Sequence, residues 1–69
     1  MKMGKCYVLL CMYDTLRGGD PLKIADCCGA YEISVATFHR YIAFLRGYFN
    51  EVYGMEIKYD AESSEYRLR

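Results

Sequence analysis

Sixty-nine residues allow one domain at most, and a chain this short buries only about 60% of the surface its unfolded form exposes, so a partner or a dimer contact would help to hold it together. A hydrophobic content of 54%, with 8 Tyr, 3 Phe and no Trp, excludes a disordered chain. The formal net charge of zero is unusual for a nucleic-acid binder, whose affinity rests largely on cations that neutralise phosphates, so where the charges fall matters more than their sum.

From Lys5 to Leu16, the apolar residues Cys6, Leu9, Leu10, Tyr13 and Leu16 recur at three- and four-residue spacing, which predicts a helix with that stripe facing inward. The apolar run from Cys6 to Met12 is too short to cross a membrane and has no small-residue cleavage signature beside it, so a soluble, cytoplasmic chain is expected. Gly18-Gly19 ends the helix, because glycine tolerates the left-handed conformation found there. Asp20-Pro21 then favours a turn, although Pro21 also suits the first position of a following helix.

Ile24, Cys27, Cys28 and Tyr31 give the i, i+3, i+4, i+7 pattern of a short second helix from about Lys23 to Ala30, with Leu22 anchoring its start to the core. Cysteines 6, 11, 27 and 28 all lie in apolar helical patterns and lack the spacing of a zinc site, so buried, reduced thiols and no metal are expected. The connection Tyr31-Glu32-Ile33 is so short that the helices it joins must cross steeply.

Ser34 is a good N-cap, and the third helix is predicted from there to about Val52. Its inward stripe reads Phe38, Ile42, Leu45, Phe49 and Val52, flanked by Tyr41 and Tyr48. Ala36, His39, Arg40, Ala43 and Gly47 project the opposite way, making a narrow face of small residues set with one Arg and one His. Phe44 points away from the core stripe, as expected of a dimer or partner contact.

After Gly54 the period changes to 2. Ile57 and Tyr59, a polar turn from Asp60 to Ser64, then Tyr66 and Leu68 predict a two-stranded hairpin whose apolar side packs on the helices. The fold class is therefore mostly α with a small β-hairpin. Residues 34–50 carry Arg40, Arg46 and His39 with no acid, whereas residues 51–69 set Lys58, Arg67 and Arg69 against Glu51, Glu56, Asp60, Glu62 and Glu65.

The stretch from Asp26 to Arg46 resembles the helix-turn-helix at the start of many bacterial transcriptional regulators, including those that carry WYL-type sensor domains. Ile33, Ser34, Thr37, Phe38, Arg40, Ile42 and Leu45 match that family's apolar residue, Ser, Thr, hydrophobic residue, Arg and apolar-xx-Leu ending. Ile57, Tyr59, Asp60, Tyr66 and Leu68 look like its wing, and the resemblance runs from about Val8 to Leu68. Glu32 stands where the family often has Gly, Ala36 where it often has a basic residue, and the wing tip carries Asp60, Glu62 and Glu65 where many relatives have Lys or Arg.

The resemblance implies a winged helix-turn-helix, three helices followed by a two-stranded wing, with the third helix in the major groove of double-stranded DNA. On that reading the hydroxyls of Ser34 and Thr37 and the free N–H groups beside them hold a phosphate. Arg40 reaches a guanine edge or a phosphate with His39 beside it, Ala36 and Ala43 touch base edges or thymine methyls, and Arg46 and Lys23 anchor on the backbone. The expected function is sequence-specific DNA binding by a bacterial transcriptional regulator, working as a homodimer. The alternative is a winged-helix protein-interaction or dimerisation module that does not bind DNA, motivated by zero net charge, the acidic wing and Phe44. Neither a glycine-rich phosphate loop, nor paired carboxylates, nor a Ser/His/Asp set is visible, and His39 has no companion at ligand spacing. An enzyme, a cofactor and a small-molecule substrate are accordingly not expected.

Overall fold

A computed structural model describes residues 4–69, which form α1 (Lys5–Arg17), β1 (Leu22–Lys23), α2 (Ile24–Tyr31), α3 (Val35–Tyr53), β2 (Ile57–Asp60) and β3 (Glu65–Leu68). Three helices pack with a small antiparallel sheet whose strand order is β1-β3-β2. No helix of the described residues is long and apolar enough to cross a membrane.

The longest helix carries the clearest pattern. Phe38, Ile42, Leu45 and Phe49 of α3 are all buried, and they meet Val8, Met12 and Leu16 of α1, Cys27 of α2, and Leu22, Ile57 and Tyr66 of the sheet in one core. Val52, expected to end the stripe, is 55% exposed, because the last turn of α3 runs past the elements that cover the rest. Ala36, His39, Arg40, Ala43 and Gly47 are exposed, as the helical angle predicts.

The inward face of α1 differs from the predicted one. Val8 and Met12 are buried beside Leu16, whereas Cys6 and Leu10 are exposed and Leu9 and Tyr13 are only half-buried. Almost every residue from Cys6 to Tyr13 is apolar, so spacing alone does not choose between rows. The winning row is the i, i+4, i+8 set, whose three side chains stack along one line against the core. Of the four cysteines expected to be buried, Cys27 alone is fully so; Cys11 and Cys28 are intermediate and Cys6 is exposed.

The hairpin is part of a larger sheet. Leu22 and Lys23, read from sequence as the anchor and start of a helix, form a third strand with the pairs Leu22↔Tyr66 and Lys23↔Glu65. β2 and β3 pair as Ile57↔Leu68 and Tyr59↔Tyr66, and the ladder continues through reciprocal N–H···O=C bonds between Glu56 and Arg69 at 2.8 and 2.7 Å. Ile57 and Tyr66 are buried, but Tyr59 lies across the Tyr66 ring, centroids 4.8 Å apart, and leaves half its surface in solvent instead of packing on the helices. A third strand answers the marginal stability of an isolated hairpin, because it gives β3 a partner on both edges.

Two backbone turns set the angles between helices. Gly19, at φ +89°, closes α1 with its N–H donating to the Leu16 carbonyl at 3.1 Å. Glu32 ends α2 in the left-handed region at φ 53°, ψ 47°, and the Ile33 N–H donates back to the Cys28 carbonyl at 3.3 Å. A left-handed residue between α2 and α3 redirects the chain within three residues, which is the steep crossing expected from the short connection.

Candidate nucleic-acid interface

The N-terminus of α3 is built around Ser34. Its extended backbone (φ −78°, ψ 163°) lets the hydroxyl oxygen accept the Thr37 N–H at 3.1 Å, while the hydroxyl proton is offered to Thr37 Oγ1 at 3.0 Å. Arg40 Nη2 donates to the same Thr37 oxygen at 3.2 Å. Ser34, Thr37 and Arg40 therefore form one connected polar row along the first turn and a half of α3. Residues in the first turn of a helix have no carbonyl behind them to receive their N–H groups, so the end of this row carries partial positive charge.

Gly4, Lys5 and Tyr31 border the same recess from α1 and α2. Lys5 thus adds a second cation to the Arg40 neighbourhood, and Glu32 adds the one acid. Nothing in the sequence pattern pointed to Lys5, because it reaches the recess through the tertiary approach of α1.

A second group lies on the other flank of α3. Ala43, Arg46, Gly47 and Asn50 face Met55 to Lys58 across an open groove between helix and sheet. Arg46 Nη2 reaches the Ile57 carbonyl at 3.5 Å, which tilts its guanidinium toward β2 and leaves most of it in solvent. Lys58 stands on the opposite wall, with Glu56 at 3.2 Å. Asn50 and Lys58 were not among the expected site residues. Their signal was weak, since Asn50 sits at the end of the polar face and Lys58 in a tail with more acids than bases. His39, exposed between the two groups, has its ring edge-on to Phe38 at 5.8 Å.

Lys23 is placed apart from these residues. It occupies the outer row of the sheet, where its ammonium lies 3.7 Å from Glu65, and Arg67 holds the other oxygen of that carboxylate at 3.1 Å. Partial desolvation acts to raise the Glu65 pKa, but hydrogen bonds from Ser63 and Arg67, with the Arg67 and Lys23 charges, outweigh it and leave the carboxyl below its ordinary value. Asp60 is likewise occupied, since its Oδ1 accepts the Glu62 N–H at 3.0 Å and shapes the turn. Two of the three acids of the wing tip are thus engaged within the sheet, and Glu62 remains open to solvent.

Compared with known proteins, the chain matches no family model, no curated protein and no solved structure. Among the described residues there is no group of His, Cys, Asp or Glu side chains arranged to hold a metal ion.

Proposed function

We propose that the chain is a winged helix-turn-helix domain of a bacterial transcriptional regulator, which binds double-stranded DNA sequence-specifically by laying α3 in the major groove. The observation that carries this reading is the outer face of α3. Ala36, His39, Arg40, Ala43 and Gly47 are exposed together, no carboxylate interrupts residues 34–50, and the small side chains let the helix approach a groove floor closely. The Ser34–Thr37–Arg40 row supports a phosphate contact at the helix start, with Arg40 free to swing from Thr37 to a guanine edge or a phosphate. The β2–β3 hairpin, braced by β1, is the wing.

The charge arrangement sets the strength expected. Lys5, Arg40, Arg46 and Lys58 are the cations nearest this face. Four phosphate contacts give a slope of log K against log salt of about −3 to −4. Binding to a duplex, followed by fluorescence anisotropy, should weaken by about 100-fold between roughly 50 and 200 mM salt. An absence of binding at the lower salt, or binding that ignores salt, rejects the reading. Arg40→Ala should lose far more affinity than Arg67→Ala, because Arg67 is already committed to Glu65. Equal losses would put the reading face elsewhere.

A further inference from the structure

We propose that the flank formed by α1 and α3 is a self-association surface on which a second copy of this chain docks. Leu9, Leu10, Tyr13, Phe44, Leu45 and Tyr48 line an open apolar groove there, and none of them is charged. Leu10 is 64% exposed, Phe44 61% and Tyr48 40%, so three large apolar side chains stand in water next to one another across two helices. Single exposed apolar residues are ordinary; a contiguous, uncharged group of this kind is not.

Size and relief decide the occupant. With aromatic side chains offering 150–250 Å² each, the groove exposes roughly 450 Å² of apolar surface, close to a tenth of the 4628 Å² accessible surface of the described residues. Two copies face to face bury about 900 Å² from the groove alone and pass about 1,000 Å² with the rim, which meets the lower bound for a specific but weak contact. The relief is self-complementary. Phe44 and Leu10 rise as ridges, while Leu9, Tyr13 and Leu45 form a lower floor between them, so a two-fold axis lets the ridge of each copy enter the groove of the other. An acidic or basic partner finds no counter-charge in the groove. Phe44 lies on the α1 side of α3, beside the Ala36–Gly47 face, so the association stands independently of DNA binding.

The test is sedimentation equilibrium of the full chain, without DNA, from about 10 µM to about 1 mM, the range in which an interface at the small end of the scale dissociates. The weight-average mass should rise with concentration from the monomer value of 8.0 kDa toward twice that. Phe44→Glu should weaken association by at least about tenfold, as expected at the centre of an apolar contact, and Leu10→Glu should do the same. Val35→Glu, an equally exposed position on the other flank of α3, should follow the wild type. All four proteins should share one circular dichroism spectrum, since the substituted side chains lie outside the core. A mass fixed at the monomer value throughout overturns the proposal and leaves the groove to a different protein. So does association that Phe44→Glu and Leu10→Glu leave unchanged, or that Val35→Glu weakens as much as they do.

Discussion

Replacing Glu32 by glycine should both stabilise the domain and strengthen its hold on DNA, and the two gains are separable. Glu32 sits at φ 53°, ψ 47°, a conformation that costs a residue with a Cβ roughly 1–2 kcal/mol and costs glycine nothing. The extra freedom of glycine in the unfolded chain returns about 0.4–1 kcal/mol of that. Its side chain makes no hydrogen bond or ion pair among the described residues, so little is lost with it. The net gain is about 0.5–1 kcal/mol, which for a domain of this size raises Tm by about 2–8 °C. Removing a negative charge some 8 Å from a bound phosphate is worth about 0.5 kcal/mol in water, or about twofold in affinity at low salt. Glu32→Gln keeps the strained backbone and removes the charge, so it should match Glu32→Gly in DNA affinity and the wild type in Tm. Thermal unfolding and anisotropy on the three proteins check both halves. A Tm for Glu32→Gly at or below that of the wild type refutes the strain argument, and unequal affinities of the Gly and Gln variants refute the charge argument.

The core and the thiols give two further expectations. Phe38 is fully buried and touches the Tyr66 ring at 5.6 Å, so Phe38→Ala should cost about 3–5 kcal/mol in urea unfolding. That is a large part of the roughly 3–10 kcal/mol such a chain commands, and a cost under about 1 kcal/mol would mean the site collapses or was never tightly packed. Burial, reinforced by Cys28 and Asp26, pushes the Cys27 thiol from its ordinary 9.0 up to about 11. The fold therefore favours the protonated thiol. That contribution is complete below pH 9 and is lost between pH 9 and 11, as the unfolded chain ionises first. Tm should fall less steeply over that interval in Cys27→Ala than in the wild type, and parallel curves would contradict the assignment.

What could be read from sequence tracks how much contrast each segment offers. The core row of α3 was legible from Phe38 to Phe49 because apolar and polar residues alternate sharply over 19 residues. α1 gave the helix but not its face, since the run from Cys6 to Tyr13 is apolar on nearly every side and only contact with the other elements selects Val8 and Met12. β1 was invisible because two residues cannot display a period, and Leu22 and Lys23 become a strand only through β3, far along the chain. The same pairing explains why Lys23, plausible as an anchor by charge alone, faces Glu65 instead. Ser34, Thr37 and Arg40 were legible as a group because helical spacing puts them in one row, whereas Lys5 and Lys58 join them only through tertiary packing.

The strand order β1-β3-β2 has a kinetic consequence. The strand that comes last in chain order lies in the middle of the sheet, so β1 has no partner until nearly the whole chain between Leu22 and Tyr66 has been looped back on itself. The local β2–β3 hairpin can flicker into existence early, but by itself it is too small to persist. Closing that long loop is an entropic toll taken before the contacts it allows are made, which places the closure at or near the folding barrier. Helices and sheet then become one cooperative unit, and the amides that join β1 to β3 should exchange with solvent only when the entire domain opens.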